Sequence, residues 1–162
     1  PTRVYGPFLF GKTESVTQLI EKFVLGKWRF IPGDGKKTGN YVFVEDVVDG
    51  HILAMEKGRK GHTYILGGPN HDYNEFFATI SKISGVKRKM IHMPLGLQML
   101  FARMQLMKTW FGKEPVITPK WIAKGRYDWH VSPEKAINEL GLKPHTLEEG
   151  LKKTIIWLRE KK

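Results

Sequence analysis

Six histidines are the side chains of this 162-residue sequence best suited to bind metals or transfer protons near neutral pH. No two of them lie four residues apart on a predicted helix with a carboxylate in register, so their spacing does not favour a zinc site. The chain has no cysteine, which excludes disulfides, thiolate catalysis and cysteine-based zinc binding. No G-x-S-x-G motif for acyl transfer is present. We therefore expect structural or exposed histidines and predict no metal site.

A glycine-rich segment at residues 33–39 has the spacing G-x-G-x-x-x-G, which suggests phosphate binding. A dinucleotide-binding loop follows a strand and opens a helix at its last glycine, so that the helix N-terminus meets the pyrophosphate. Here the next residues, 41–44, are β-formers and predict a strand instead. The segment is therefore predicted to be a surface loop, with a phosphate loop as the alternative.

The whole chain has a formal net charge of +11, and the positive charge is concentrated in its second half. Residues 1–85 carry 11 basic and 9 acidic side chains, whereas residues 86–162 carry 16 and 7. Such a basic half suits nucleic acid, an anionic membrane, or an anionic cofactor or substrate, and it also suits a solvated lysine-rich surface. No zinc finger, RNA-recognition signature or arginine-rich run accompanies it. A non-catalytic module with a basic surface for nucleic acid stays open as an alternative function.

Short strands and helices alternate along the chain, which predicts an α/β fold. Apolar residues at helical spacing predict helices at about residues 13–26, 45–58, 72–85, 94–111, 133–141 and 147–160. Strands are predicted at 41–44, 62–66 and 88–93. Glu45 and Asp46 are expected to cap the second helix, which is predicted to run through the apolar residues Val47, Val48, Ile52, Leu53 and Met55 and to end at Gly58. Capping boxes are predicted for Asp72 with Glu75 and for Thr146 with Glu149.

The helix predicted at 94–111 is rich in methionine and aromatic residues. It can pack in a core or a domain interface, line a substrate pocket, or lie on a membrane surface. The uncharged stretch at residues 90–102 is too short to span a bilayer, so no transmembrane segment is predicted. The absence of cysteine fits a reducing, cytoplasmic setting.

Four segments resemble, in order and spacing, the extended short-chain dehydrogenases/reductases of the NAD-dependent epimerase/dehydratase family. Residues 1–7 (P-T-R-V-Y-G-P) resemble its P-x-x-V-Y-G-P turn, and residues 41–51 its F-V-H-V-D-D-V-A-x-G-H segment. Residues 64–68 resemble its Y-x-L-G-G strand end, and residues 135–144 its K-A-x-x-E-L-G-Y-x-P segment. The resemblance covers nearly the whole chain and is to the C-terminal part of the family, most of all to its dihydroflavonol-reductase-like members.

The resemblance implies the C-terminal part of an extended Rossmann-type dehydrogenase/reductase, an α/β fold with short strands and several helices that lacks most of the nucleotide-binding sheet. Residues 1–162 would form the substrate-binding region, with about 41–85 contributing a strand and helices to the nucleotide-binding domain. The family binds NAD(P) through an N-terminal glycine-rich loop. Its chemistry uses a Tyr-x-x-x-Lys pair, in which the lysine lowers the pKa of a tyrosine that acts as general acid and base.

None of the five tyrosines here has a lysine four residues later. We therefore expect no catalytic residues in this chain, no activity of the chain alone, and no cofactor bound by it. The parent enzyme would use NAD or NADP and act on a carbonyl or alcohol carbon. Its nucleotide-binding half is the expected partner, and without that half a homodimer or swapped dimer is expected.

The resemblance also assigns candidate site residues. The turn at residues 1–7 would run beneath the nicotinamide, which makes Pro1, Arg3 and Val4 candidate cofactor contacts. The candidate substrate contacts follow that turn or lie on the opposite side of the pocket, and they are Phe8, Phe10, Lys12, Arg126 and Tyr127. Nucleotide-sugar epimerases often carry an arginine shortly before the F-V-H-V segment. Gly39 and Asn40 stand there in this sequence, which argues against a nucleotide-sugar substrate.

Overall fold

The computed structural model describes residues 1–7, 15–107, 123 and 127–161. The strands in these ranges are β1 (Arg3–Tyr5), β2 (Phe30–Pro32), β3 (Thr38–Phe43), β4 (Asn70–Asp72) and β5 (Ile91–Met93). The helices are α1 (Ser15–Val24), α2 (Val44–Lys57), α3 (Tyr73–Ser84), α4 (Leu95–Met107), α5 (Glu134–Leu140) and α6 (Leu147–Glu160). Short strands with several helices confirm the predicted α/β class.

The strands form two small sheets. β1 pairs in parallel with β3, in the register Arg3 to Tyr41, and β3 pairs antiparallel with β4. The order in this sheet is β1-β3-β4, so no described strand lies on the outer side of β1. The second sheet consists of β2 and β5 in parallel.

The main core lies on one face of the first sheet, against α1, α3 and α6. Successive side chains of a strand point to opposite faces, so Tyr41 and Phe43 share this face with Tyr5 of β1. The helices contribute apolar stripes at helical spacing, and the buried members include Ile20 and Phe23 of α1, Phe76 and Ile80 of α3, and Leu151 and Ile155 of α6. A second cluster joins α2 to α5 around Leu66, Leu140 and Leu142.

The predicted helix ends are confirmed where the sequence contains strong local signals. Both capping boxes are present, at Asp72 with Glu75 and at Thr146 with Glu149. Gly141 closes α5 and Gly85 closes α3, each in the left-handed conformation that glycine adopts without strain. The predicted helix at 94–111 is observed over Leu95–Met107, and the rest of that prediction lies outside the described residues.

Two local predictions were wrong. The segment at 62–66 is not a strand. Only the Leu66 carbonyl accepts a backbone hydrogen bond from the β1 side, from Thr2, and among the described residues no strand lies beside the rest of the segment. Asp46 does not cap α2: the N-cap is Phe43, without a side-chain hydrogen bond, and Asp46 is instead buried against His145.

The outer face of α2 carries exposed apolar side chains. Of the apolar residues predicted for this helix, Val48, Ile52 and Met55 are 54%, 49% and 87% exposed. The opposite face of the helix, with Asp46 and Gly50, is the buried one. Periodicity identified an apolar stripe correctly, but nothing in the described part of the chain covers it.

Candidate functional site

The candidate site lies along β1, where the first family-like segment meets the second. Parallel pairing sets Arg3, Val4 and Tyr5 beside Tyr41, Val42 and Phe43. Pro1 is exposed, and Arg3 and Val4 are half-buried. Because neighbouring strand residues alternate, the side chains of Arg3 and Val4 lie on opposite faces of the sheet. Of the predicted cofactor contacts, Arg3 therefore faces the aromatic residues of the main core, and Val4 does not.

The Arg3 guanidinium is held by two tyrosines. Its Nη1 donates a hydrogen bond of 3.2 Å to the hydroxyl of Tyr73, the first residue of α3. Its Cζ lies 5.7 Å from the ring centroid of Tyr41 and 5.8 Å from that of Tyr73, within the range of cation–π attraction. Burial acts to lower the pKa of Arg3, but the interactions with Tyr73 and Tyr41 outweigh it, so the side chain stays charged.

Gly39 provides the space that the guanidinium occupies. A Cβ at this position would lie 2.6 Å from Arg3 Nη1 and 3.0 Å from the hydroxyl oxygen of Tyr41. The Tyr41 hydroxyl is buried and makes no hydrogen bond within the described part of the chain. Burial raises the pKa of Tyr41 above its usual range, so this hydroxyl keeps its proton. The arrangement places two kinds of hydrogen-bond donor, a guanidinium and a phenol, next to a residue without a side chain.

Asn40 connects the segments around the site. It is 1% exposed. Its Oδ1 accepts from the Thr2 hydroxyl at 2.6 Å and from the Gly68 N–H at 3.0 Å. Its Nδ2 donates to the Gly68 carbonyl at 2.6 Å and to Asn70 Oδ1 at 2.9 Å. The amide thereby fixes the residue before β1, the turn at 67–69 and β4 relative to one another. Gly39 and Asn40 stand where nucleotide-sugar epimerases often carry an arginine, and both have structural roles in this chain.

Tyr127, a predicted substrate contact, lies next to a residue that binds the start of β3. Asp128 accepts hydrogen bonds from Lys37 Nζ at 2.7 Å and from the Thr38 N–H at 3.0 Å. The hydrogen bond from Lys37 is the main reason that the pKa of Asp128 lies below its usual value, followed by the backbone bond from Thr38. Tyr127 itself is 68% exposed. The segment that contains Tyr127 is therefore held at Thr38, one residue before Gly39.

The remaining predicted substrate contacts, Phe8, Phe10, Lys12 and Arg126, lie outside the described residues. Sequence reasoning missed Tyr73 as a partner of Arg3, since the two are separated by 70 residues and share no motif. It also missed the hydrogen bonds of Asn40, for which a buried position in a β-rich segment was the only available signal.

Another polar cluster in the described part of the chain lies in the first turn of α2. Asp46 accepts from the His145 backbone N–H at 2.9 Å and contacts its Nδ1 at 2.5 Å, which joins α2 to the residues before α6. A cleft of about 510 Å³ between α3, α5 and the start of α6 is lined by His145 and His71 but by none of the predicted site residues. In the ranges described, no three histidines and carboxylates come close enough to bind a metal. No helix found there is long and apolar enough to cross a membrane.

Comparison with known proteins agrees with the motifs. Residues 1–67 match the NAD dependent epimerase/dehydratase family. The chain is 30% identical over 166 residues to short-chain dehydrogenase/reductase family 42E member 1 of Bos taurus, covering 93% of this chain and 42% of that protein. Its fold is similar to the crystal structure of gox2253, with a TM-score of 0.75, 30% identity, and coverage of 99% of this chain and 48% of the other.

A second similar structure is the UDP-glucose 4-epimerase of Thermotoga maritima with UDP-glucose. Its TM-score is 0.68 at 27% identity, with coverage of 99% of this chain and 44% of the epimerase. The chain thus spans less than half the length of these proteins. The matches support the NAD-dependent epimerase/dehydratase family and establish its Rossmann-type α/β fold for this chain.

Proposed function

We propose, from the family match of residues 1–67 and the geometry of β1, that this chain forms the substrate side of an NAD(P)-dependent oxidoreductase or epimerase. Such an enzyme transfers a hydride between nicotinamide and a carbonyl or alcohol carbon of its substrate. The observation that carries the proposal is the parallel pairing of β1 with β3, because it joins the two most characteristic family-like segments into one surface.

Pro1 and Val4 fit a position beside the nicotinamide. Pro1 is exposed, Val4 is half-buried, and no described strand occupies the outer side of β1. Compact apolar side chains suit the face of an aromatic ring, and an open strand edge offers backbone groups to a carboxamide. NAD or NADP would supply the hydride acceptor or donor, and these residues would hold and orient its ring. The chain itself contains no Tyr-x-x-x-Lys pair to move the proton.

A nucleotide-binding half would supply that pair and the glycine-rich loop. The exposed stripe of Val48, Ile52 and Met55 on α2 is the surface on which we propose that this half docks, because the three side chains lie on one helical face. Ile65, in the segment that was predicted to be a strand, is also 45% exposed. In the absence of that half, a second copy of the chain would cover these residues.

Light scattering of the purified 162-residue chain tests this docking surface. We expect self-association, and we expect Ile52→Glu to abolish it, since the charge would lie within the apolar stripe. Lys60→Glu, at an exposed position beyond the end of α2, is the control and should leave association unchanged. A stable monomer at all concentrations, with no companion polypeptide, would contradict the proposed surface.

The activity is tested by comparing two proteins: this chain alone, and the same chain joined to a family nucleotide-binding half. We expect NAD(P)H oxidation with a panel of ketones and aldehydes, or NAD(P)⁺ reduction with alcohols, only from the complete protein. Turnover by the 162-residue chain alone would show that it carries its own catalytic groups. Failure of the complete protein to bind either nicotinamide cofactor would refute the proposed function.

The alternative of nucleic-acid binding has its own test. Binding through a basic surface releases counterions, so it weakens steeply as the salt concentration rises. We expect no binding of duplex DNA or of RNA by this chain even at about 50 mM salt. Binding with a steep salt dependence would favour the non-catalytic module instead.

A further inference from the structure

Helix α4 presents an apolar face to solvent. Leu97, Leu100 and Met104 recur at helical spacing and are 55%, 56% and 60% exposed. The opposite side of the helix is the buried one, and it carries Gln98 and Ala102. Among the described helices and strands, none packs extensively against α4. The helix therefore has its apolar stripe on the outside, which is the reverse of the usual arrangement in a water-exposed helix.

The second sheet carries a similar surface. Phe30 of β2 and Ile91 of β5 are paired in register, so their side chains lie on the same face of the sheet. Both are exposed, whereas the neighbouring Ile31 points to the other face and is buried in the main core. Pro94 alone separates β5 from α4. The exposed apolar side chains of the sheet and of the helix thus belong to adjoining elements.

The charge on these segments is of one sign. Residues 76–107 contain five basic and no acidic side chains, and residues 22–33 contain three and none. A run of three exposed cations, at residues 87–89, leads into β5. On α4 the exposed Arg103 follows Leu100 by three residues, so it lies at the border of the apolar stripe. The sheet and the helix therefore combine exposed apolar side chains with positive charge.

This combination matches the surface of an anionic lipid bilayer. Acyl chains accept leucine and methionine side chains, while the headgroups above them attract lysine and arginine. α4 has 13 residues, which is too short to span a bilayer and sufficient to lie in its interface. The exposed stripe of α2 differs, because the exposed carboxylates of Asp49 and Glu56 belong to the same helix. Charge thus separates the surface assigned to a protein partner from the surface on α4.

We propose that this chain docks on an anionic membrane surface through α4. Leu97, Leu100 and Met104 insert to the level of the first acyl carbons, and the cations at residues 87–89 and Arg103 lie against the headgroups. Each basic residue close to such a surface strengthens binding about fivefold. The interaction is separate from hydride transfer and requires no nicotinamide.

The test uses the purified 162-residue chain and sedimented lipid vesicles. Vesicles of phosphatidylcholine with about 30% phosphatidylserine are compared with vesicles of phosphatidylcholine alone. We expect binding to the anionic vesicles and at least about tenfold weaker binding to the neutral ones. Because the chain has a net charge of +11, charge alone can adsorb it, so insertion of α4 is measured separately. No binding to the anionic vesicles overturns the proposal.

Insertion is measured with a single fluorescent label. The sequence has no cysteine, so one can be introduced at a chosen position and labelled with an environment-sensitive fluorophore. The label at Met104→Cys should shift to shorter wavelength and be quenched by nitroxide groups inside the bilayer. The label at Met55→Cys, another exposed methionine but on α2, is the matched control and should remain unquenched. Vesicle binding without quenching at position 104 would show adsorption by charge alone and would overturn the proposal.

Two pairs of substitutions separate the two contributions to binding. Leu100→Gln should weaken vesicle binding about tenfold, because it removes an inserted side chain, whereas Met55→Gln should not. Lys89→Gln should weaken binding about fivefold, whereas Lys60→Gln removes the same charge beyond the end of α2 and should change binding less than about twofold. All four positions are exposed, so the fold should persist, which circular dichroism checks. Equal effects within either pair would refute docking through α4.

Other occupants of the α4 face give distinct results. If Leu100→Gln disrupts self-association in light scattering, or docking of a nucleotide-binding half, while vesicle binding is absent, the face is a protein interface and the proposal fails. Because neither vesicles nor label require a cofactor, the outcome does not depend on the hydride-transfer assay. Membrane docking with an inactive complete enzyme would refute the proposed function and leave the docking surface intact.

Discussion

Replacing Asn40 by alanine is the sharpest test of how the site is held together. The side chain is 1% exposed and makes five hydrogen bonds of 2.6–3.3 Å, two of them to the backbone of Gly68. Gly68 is itself buried, so water cannot replace the lost amide. The substitution would therefore leave a buried N–H and a buried carbonyl without these partners.

The expected loss of stability can be worked from these groups. Each buried polar group that loses its partner costs about 1–3 kcal/mol, and two such groups with partial relaxation give about 3 kcal/mol. For a chain of this length that loss lowers the thermal midpoint by about 6–12 °C. Equilibrium urea unfolding followed by circular dichroism measures the free energy directly.

The matched control for this substitution is Asn74→Ala. Asn74 also makes two side-chain hydrogen bonds, to the Asp34 carbonyl and to His92, but both are exposed. Water replaces exposed bonds, so we expect a loss below about 1 kcal/mol. Equal losses for Asn74→Ala and Asn40→Ala, or a loss below about 1 kcal/mol for the latter, would refute the reasoning.

Asn40→Asp adds an independent check based on pH. The substitution places a carboxylate oxygen against the Gly68 carbonyl and Asn70 Oδ1, where the amide nitrogen now donates. We expect the pKa of the new carboxyl to be raised in the folded state, because burial and neighbouring oxygens disfavour its charge. The variant should then be least stable at neutral pH and recover as the pH falls. Stability independent of pH would contradict the hydrogen-bond pattern.

Two further predictions concern the residues around Arg3. Gly39→Ala should destabilise the chain by about 1–3 kcal/mol, because the added methyl group would meet the Arg3 guanidinium. Gly96→Ala, the control, should be neutral or stabilising. Urea unfolding of both variants distinguishes crowding from helix propensity. The pKa of Asp128 should lie below the ordinary value of about 3.9 in a carboxyl ¹³C NMR titration, because Lys37 favours the charged form. The contact by which Asp128 holds segment 127–129 against β3 should be present above the ordinary pKa and lost as the pH falls through the folded pKa. An ordinary titration of Asp128, or one unchanged by Lys37→Met, would show that the salt bridge does not form in solution.

The sequence predicted the elements that depend on neighbours in the chain. The capping boxes at Asp72 and Thr146 each close within one turn of helix, so four residues contain all the information they need. The apolar stripe of α6 follows helical spacing, and Leu151 and Ile155 are buried. The family-like segments are likewise local patterns, and they were sufficient to identify the fold.

Local patterns failed where a residue had a stronger distant partner. Asp46 has the residue type and position of a helix cap, but it bonds instead to His145, 99 residues away. The β-rich segment at 62–66 has the composition of a strand, but a strand requires a neighbouring strand as well as a propensity. Val48 and Met55 carry helical periodicity, which specifies that a face is apolar and cannot specify what covers it.

By itself, therefore, the sequence determined the α/β class, the helix boundaries and the family-like segments, because these features are written in residues close together along the chain. Only the tertiary structure decided that Arg3 lies against Tyr41 and Tyr73, and that Gly39 makes room for it. These contacts join residues from 36 to 70 positions apart, and they exist only once β1 has paired with β3 and α3 has packed on the sheet. Tertiary packing, and not residue type alone, places an arginine of a turn motif against two tyrosines from distant parts of the chain.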